Sequence, residues 1–290
     1  MKRGAILSAV LILGVTLSAA IRGSVRIETP PMAHTRGTGG TGRTLGTSGA
    51  VGTSGTLGTP EPVLIELFTS EGCSSCPPAD DILSDLVAHQ PVANAHIVAL
   101  GEHVDYWNDL GWTDPFSTAQ FTSRQSEFGE SLRQSSIFTP ELVIDGEAQV
   151  VGSDRRAALS AIAQAASSPS VPIALAWNAD GLLSVSIAPS TLARSEEVWL
   201  AVTEDGLESH VARGENAGRT LKHVAVTRRL AKIGVTKPDG SFTQPVSVIF
   251  DRTWSRAASH IVVFAQSPAS RRINGVATIA ATAGAQSQSR

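Results

Sequence analysis

The chain has 290 residues and a nearly balanced charge, with 23 Lys and Arg against 26 Asp and Glu. It contains no basic run and no stripe of basic and aromatic residues, which argues against a nucleic acid as partner. No motif for an organic cofactor occurs, so we expect no cofactor.

The N-terminus has the pattern of a secretory signal peptide over residues 1–20. Two basic residues precede an apolar run that ends in Ser18-Ala19-Ala20, the small residues that a signal peptidase recognises. We therefore expect an exported bacterial protein, periplasmic or secreted, that contacts a membrane only if this segment stays uncleaved.

Two further segments have the composition of disordered chain. Residues 21–60 are rich in Gly, Thr and Ser and offer little to bury, so they cannot offset the entropy cost of ordering. They predict a flexible linker, with a low-complexity expansion that has no role as the alternative. Residues 281–290 predict a disordered tail.

Residues 61–168 predict an α/β domain. Val63–Phe68 is a buried strand by its apolar run, a helix begins at the two cysteines of CSSCPPAD, and His96–Leu100 is a second buried strand. A polar helix over 117–132 follows, and then come a hairpin with an Asp-Gly turn and a last helix. The order β-α-β-α-β-β-α with a CxxC after the first strand predicts a thioredoxin-like domain with an inserted loop.

Residues 171–280 predict a β-rich C-terminal module. Short alternating runs separated by turns dominate this part, and helical periodicity is weak. We expect a small sandwich or sheet packed on the first domain, with the boundary near residues 167–170. The runs that predict strands are VPIALAW, LLSVSIA, EEVWLAVTE, HVAVTRRL, SVIF and HIVVFAQ.

The chain has only two cysteines, Cys73 and Cys76, and their spacing predicts a disulfide that takes part in exchange. At the start of a helix the backbone N–H groups and the helix dipole lower the pKa of a thiol, so we expect Cys73 to be the nucleophile. Cys76, one turn later, is then the resolving cysteine. Ser74 and Ser75 can donate hydrogen bonds toward sulfur.

Two other parts of the first domain are candidates for the site. Thr139-Pro140 precedes a strand, where a cis bond to Pro140 would present the Thr139 backbone to an extended substrate. Glu66 lies in the apolar first strand, and a buried carboxylate near a dithiol can accept a proton. A solvent-exposed Glu66 is the alternative.

The segment EHVDYWNDLGWTDPF follows the second strand, at the end of the sheet where functional groups collect in open α/β folds. We expect this inserted loop to contribute substrate-binding residues beside Cys73, or simply to cover the sheet edge. Its candidates are His103, Asp105, Tyr106, Trp107 and Trp112.

Two other interpretations of the cysteines stay open. A structural disulfide is natural in an oxidising compartment, although so small a loop gains little stability from it. A zinc or copper(I) site is the second, with Cys73, Cys76 and His103 as ligands and Asp105 or His96 completing it.

Four motifs in order resemble a family of bacterial secreted thioredoxin-like proteins of unknown function. They are ELFTSEGCSSCPPAD, HVDYWNDLGWTDPF, TPELVIDG followed by VGSDR, and RGENAGRTLKHVAVTRRL. The likeness runs from Glu61 to the C-terminus and implies a thioredoxin-like fold without an established activity. The fourth motif, with Asn216 and His223, either lines a ligand surface, meets the first domain or forms a solvated hairpin.

This sequence departs from true thioredoxins in three ways. No Trp precedes Cys73, Ser-Ser replaces Gly-Pro between the cysteines, and the loop with Trp107 and Trp112 is inserted. We therefore expect a dedicated partner, a protein thiol or disulfide substrate or a redox partner in the cell envelope, and not general reduction.

Overall fold

A computed structural model describes residues 59–192 and 195–282. The predicted signal peptide lies outside these residues, as do most of the predicted linker and tail. In chain order the first half contains β1 (Glu61–Thr69), α1 (Pro77–His89), β2 (Ala95–His103), α2 (Ala119–Ser131), β3 (Glu141–Ile144), β4 (Ala148–Val151) and α3 (Arg155–Ala165). The second half contains β5 (Ile173–Trp177), β6 (Leu183–Ile187), β7 (Glu197–Glu204), β8 (Leu207–His210), β9 (Thr220–His223), β10 (Val226–Val235), β11 (Phe242–Val246), a 3₁₀ helix (Arg256–Ala258), β12 (Ser259–Gln266) and β13 (Ile273–Ala280).

The predicted mixed α/β architecture is confirmed, and the second half is β-rich. Eight strands form one mixed sheet in the order β13-β12-β7-β10-β2-β1-β3-β4. Within it β1 and β2 are parallel, whereas β3 is antiparallel to β1. A three-stranded sheet, β11-β6-β5, and the hairpin β8-β9 complete the strands. Among the described residues no helix is long and apolar enough to cross a membrane.

Helices cover both faces of the β1–β2 pair. Ile65 of β1 packs in the cluster that contains α1 and α3 residues, while Leu64 packs with Phe121 of α2 on the opposite face. Because both faces are buried, β1 reads in the sequence as an almost continuous apolar run. This burial on both faces explains why the sequence shows an apolar run there and no alternation of polar and apolar residues.

The two halves share the large sheet. Strand β10 pairs in parallel with β2 at Val226 and Gly101, and the Gly101 N–H donates to the Ala225 carbonyl oxygen at 2.7 Å. A Cβ on Gly101 would lie 3.3 Å from the Val224 carbonyl oxygen, so glycine allows this close approach. The second half therefore extends the sheet of the first edge to edge, where we expected a sheet or sandwich packed on it.

One strand prediction is wrong in position. SVIF, residues 247–250, forms no strand, and β11 lies just before it at Phe242–Val246. Strand β11 contains Pro245, which argues against a strand in the sequence, but β11 is an edge strand and an edge tolerates proline. Phe242 supplies the buried side chain that fixes this register.

A buried charge cluster on the α2 face ties the halves together. Arg124 of α2 donates from Nε and Nη2 to the two carboxylate oxygens of Glu66, at 2.6 and 2.9 Å. Its Nη1 donates to Gln266 Oε1 of β12 at 3.2 Å, and its Nε lies 3.6 Å from Glu102 Oε1. Burial, followed by the charge of Glu66, raises the pKa of Glu102 well above its usual range. Arg124 is thus the cation that pairs with the buried carboxylate of Glu66, while Glu102 lies beside this pair.

We expect Arg124→Met to lower the free energy of unfolding by about 3–5 kcal/mol, because it leaves the buried Glu66 carboxylate without its cation. Urea unfolding followed by circular dichroism measures the loss. The control is Arg155→Met, since Arg155 pairs with Asp85 at the surface, where such pairs contribute about 0–1 kcal/mol. Equal losses in the two variants would contradict the assignment of Arg124.

Candidate disulfide site

The predicted disulfide between Cys73 and Cys76 is present, with the two Cα atoms 5.5 Å apart. It lies in the turn between β1 and α1, at the carboxyl end of the parallel β1–β2 pair. Both cysteines are 0% exposed. The disulfide therefore sits where ligands and catalytic groups collect in open α/β sheets, but it is completely covered.

Helix α1 starts later than predicted, so its N-terminus does not lower the pKa of the Cys73 thiol in the way that we expected. Helix α1 begins at Pro77 with Cys76 as its N-cap, so Cys73 precedes the helix. Its first two residues are prolines, which have no N–H, and the next two N–H groups both donate to the Cys76 carbonyl oxygen. The first turn thus leaves no backbone N–H free for a Cys73 thiolate. A hydroxyl does lie close to the sulfur atom, since Ser75 Oγ is 3.2 Å from Cys73 Sγ.

The segment before β3 meets the disulfide. The Thr139–Pro140 peptide bond is cis, and the Thr139 carbonyl oxygen lies 4.0 Å from Cys73 Sγ. Trp107 of the inserted loop donates from Nε1 to Thr139 Oγ1 at 2.8 Å. A Cβ on Gly72 would lie 3.0 Å from Trp107 Cβ, so this indole side chain packs directly on the turn. Four residues predicted for the site are therefore adjacent: Cys73, Thr139, Pro140 and Trp107.

His103 belongs to a buried polar cluster beside the turn and not to the sulfur atoms. Its Nδ1 lies 2.7 Å from Asp114 Oδ2, and its ring centroid lies 4.8 Å from that of His223 in β9. Burial alone raises the pKa of Asp114, but His103 and the hydrogen bonds to Asp114 hold it below its usual range. Asp114 Oδ2 also accepts from the Glu71 N–H at 2.8 Å, so the cluster holds the backbone two residues before Cys73.

Glu71 is the centre of this cluster, although it is not among the residues predicted for the site. Its carboxylate accepts from Trp112 Nε1 at 2.7 Å and lies 3.1 Å from His223 Nε2. Its carbonyl oxygen accepts from Asn216 Nδ2 at 2.9 Å. The only signal in the sequence is that Glu71 is an acidic residue two positions before the CxxC. The fourth sequence motif therefore meets the first half through Asn216 and His223, one of the alternatives considered for it.

Three other predicted residues form hydrogen bonds that do not involve the sulfur atoms. Asp105 Oδ1 accepts from Thr122 Oγ1 at 2.6 Å, and Tyr106, 38% exposed, donates to Gln125 Oε1 at 3.2 Å. Glu66 lies on the α2 face in its pair with Arg124, so its hydrogen bonds do not lead to the disulfide. A second buried carboxyl near the cysteines in sequence is Asp80, four residues after Cys76, whose N–H donates to the Cys76 carbonyl oxygen at 3.1 Å.

The geometry gives no support to the metal alternative. Within residues 59–192 and 195–282, no three His, Cys, Asp or Glu side chains are grouped so that they could hold a metal ion. The two cysteines are joined to each other, and His103 is paired with Asp114. His96 is exposed near the start of β2, at the opposite end of that strand from His103.

Residues 64–266 match the model of a family described as "Protein of unknown function (DUF1223)". The chain belongs to this family. The match begins in β1 and ends with β12, so membership covers both halves of the sheet. No curated protein matches the chain.

Two solved structures are similar to this member of the family. Protein AGR_C_4864 from Agrobacterium tumefaciens is 24% identical, with a TM-score of 0.61, and the alignment covers 77% of this chain and 96% of that one. HBP35 of Porphyromonas gingivalis is 13% identical, with a TM-score of 0.53, and the alignment covers 77% of this chain and 76% of that one. At these identities the likeness concerns the fold alone.

The buried carboxyl of Asp80 gives the stability of the folded protein a pH dependence. Burial raises the pKa of Asp80 from 3.8 to about 7, although the neighbouring His223 opposes the shift. Between these two values the folded state holds a proton that the unfolded chain has released. The contribution of Asp80 to the free energy of unfolding therefore falls as the pH rises from about 4 to about 7.

We expect Asp80→Asn to flatten this fall, because the amide keeps the shape of the protonated carboxyl and cannot ionise. The measurement is urea unfolding at a series of pH values between 4 and 8. The control is Asp81→Asn, since Asp81 is exposed on the same helix. A wild-type slope that persists in Asp80→Asn would assign the pH dependence to other groups.

Proposed function

We propose that this protein is an exported thiol-disulfide oxidoreductase with a thioredoxin-like first half, in which Cys73 attacks and Cys76 resolves. The order β2-β1-β3-β4, with β3 antiparallel to the parallel pair, supports a thioredoxin-like arrangement of the first half. The signal-peptide pattern of residues 1–20 supports export. The partner we propose is a protein thiol or disulfide in the cell envelope.

The observation that carries the proposal is the 4.0 Å distance between Cys73 Sγ and the Thr139 carbonyl oxygen. An extended substrate that pairs with the backbone at Thr139 would bring its own sulfur close to Cys73. Pro140 has no N–H that could compete for such pairing. Trp107 is hydrogen-bonded to Thr139 and would form an apolar wall beside the substrate.

The exchange needs no reactant besides the substrate and the two cysteines. In the reducing direction the Cys73 thiolate attacks a substrate disulfide, and the second substrate sulfur leaves as a thiolate that takes up a proton. The Cys76 thiolate then attacks Cys73 Sγ, which forms the Cys73–Cys76 disulfide and releases the other substrate sulfur. Two electrons pass from the cysteine pair to the substrate, and oxidation of a substrate dithiol is the reverse sequence.

A noncatalytic binding protein of the envelope, with a structural disulfide, is the second candidate. The observation in its favour is that both cysteines are 0% exposed. In that case the inserted loop and the β-rich half would carry the partner surface, and the disulfide would only fix the turn.

The redox potential of the cysteine pair separates the two candidates. We expect a value between roughly −120 and −270 mV, the range of exchange enzymes. The protein is equilibrated in graded glutathione buffers with metal excluded, its thiols are alkylated, and the two forms are counted by mass. A value below about −300 mV is typical of a structural disulfide and would favour the binding protein.

Trapping tests the roles of the two cysteines. We expect Cys76→Ser to accumulate mixed disulfides between Cys73 and envelope proteins, because the residue that resolves them is missing. Cys73→Ser is the matched control and should trap none. Equal trapping by both variants, or none by either, would count against Cys73 as nucleophile.

A further inference from the structure

A short segment of the second half lies over the disulfide turn. Residues 213–216, which we name the cover segment, belong to the loop between β8 and β9. Asn216 Nδ2 donates to the carbonyl oxygens of Glu71 and Cys73, each at 2.9 Å. Glu215 Oε2 accepts from the Ser74 N–H at 3.0 Å. The cover segment thus occupies both polar groups of the peptide bond between Cys73 and Ser74, the Cys73 carbonyl oxygen and the Ser74 N–H.

Asn216 is the residue that fixes the cover segment. It is 1% exposed, whereas its three predecessors in the segment are exposed. Its Oδ1 accepts from Arg219 Nη1 at 2.9 Å, which orients the amide so that Nδ2 faces the turn. Gly214, with φ +81°, packs on the inserted loop, since a Cβ added to it would lie 3.2 Å from Trp112 Cβ.

Moving the cover segment away from the turn costs only a modest free energy. Its contacts with the turn are hydrogen bonds and close backbone packing, and no member is a buried apolar side chain. Hydrogen bonds of this kind contribute little net free energy each, and segments with few apolar contacts open first. The neck of the loop is closed by backbone bonds from Val211 N–H to Arg219 O and from Gly218 N–H to Val211 O, at 2.9 and 2.8 Å.

We propose that the cover segment controls access to Cys73, that Asn216 holds it closed, and that a productive partner displaces it. The part about the partner rests on the proposed exchange function; the part about access does not. Displacement frees the Cys73 carbonyl oxygen and the Ser74 N–H. An extended peptide can satisfy both with its own backbone N–H and C=O, so the partner is a protein with an extended segment and not a small disulfide.

The cover segment therefore discriminates between small thiols or disulfides and extended peptides. A small thiol or disulfide reaches Cys73 only in the fraction of molecules that are open, because it gains nothing from the freed backbone groups. A peptide that binds those groups shifts the population toward the open state. The cover segment therefore acts as a specificity determinant supplied by the second half.

The test is the rate at which excess dithiothreitol reduces the disulfide of the full-length protein, measured by alkylation and mass. We expect Asn216→Ala to raise the rate about tenfold, since it removes two hydrogen bonds that hold the cover closed. Glu215→Ala should raise it by a smaller factor, about threefold, because an exposed hydrogen bond contributes less.

Two matched controls should keep the wild-type rate. Asn94→Ala changes an exposed Asn at the other end of β2, where its side chain makes only a 3.5 Å bond to Ala166 O. Glu130→Ala changes an exposed residue of α2. Wild-type rates in Asn216→Ala and Glu215→Ala as well would overturn the proposal.

Thermal melts show whether Asn216→Ala folds. If it does not, the exposed Glu215→Ala decides alone, and an unchanged rate in that variant overturns the proposal. If Asn216→Ala and Glu215→Ala are reduced faster but Cys76→Ser traps no mixed disulfide, the exchange function is refuted and the proposal about access stands. If Cys76→Ser traps mixed disulfides but the reduction rates of Asn216→Ala and Glu215→Ala are unchanged, the exchange function stands and the proposal about access is overturned.

Discussion

The pairing of β10 with β2 is the contact on which the arrangement of the site depends. It consists of one residue pair, Val226 and Gly101, in an eight-stranded sheet. Strand β9 ends at His223, just before β10 begins, so the position of Val226 sets where His223 lies. That position is beside Glu71, at the carboxyl end of β1 and β2. The backbone approach at Gly101 is thus what brings a segment more than a hundred residues later in the chain onto the disulfide turn.

The cost of burying charge explains why the cluster beside the turn contains so many paired groups. A carboxylate loses its hydration on burial, and it is stable there only with hydrogen bonds or an opposite charge. Glu71 meets this requirement with Trp112 and His223, and Asp114 meets it with His103 and backbone N–H groups. Because these partners come from the inserted loop and from β9, the contacts that hold the turn form only when both halves are folded. The position of Cys73 is therefore a property of both halves.

The local elements could be predicted from sequence, and the contacts between them could not. The apolar run of β1, the Asp-Gly hairpin and the prolines after Cys76 each carry a signal within a few residues, and each corresponds to an element of the fold. The pairing of β10 with β2 leaves no such signal, since a strand does not record its neighbour. The same limit applies at the site. Thr139 and Trp107 could be expected near Cys73 from the order of the strands, whereas Asn216 could only be placed by the tertiary fold.

A helix that begins at the cysteines would offer free N–H groups to a Cys73 thiolate, but α1 begins with two prolines, which have no N–H. Stabilisation of a thiolate must then come from other groups near the sulfur. Ser75 Oγ is one. The charge of Glu215 also matters. Hydrogen bonds from the Ser74 side chain and backbone hold the pKa of Glu215 below its usual range, so this residue keeps a negative charge next to the turn. A like charge disfavours a thiolate. If the cover segment leaves as proposed, Glu215 leaves with it, so the step that exposes Cys73 would also favour its reactive form.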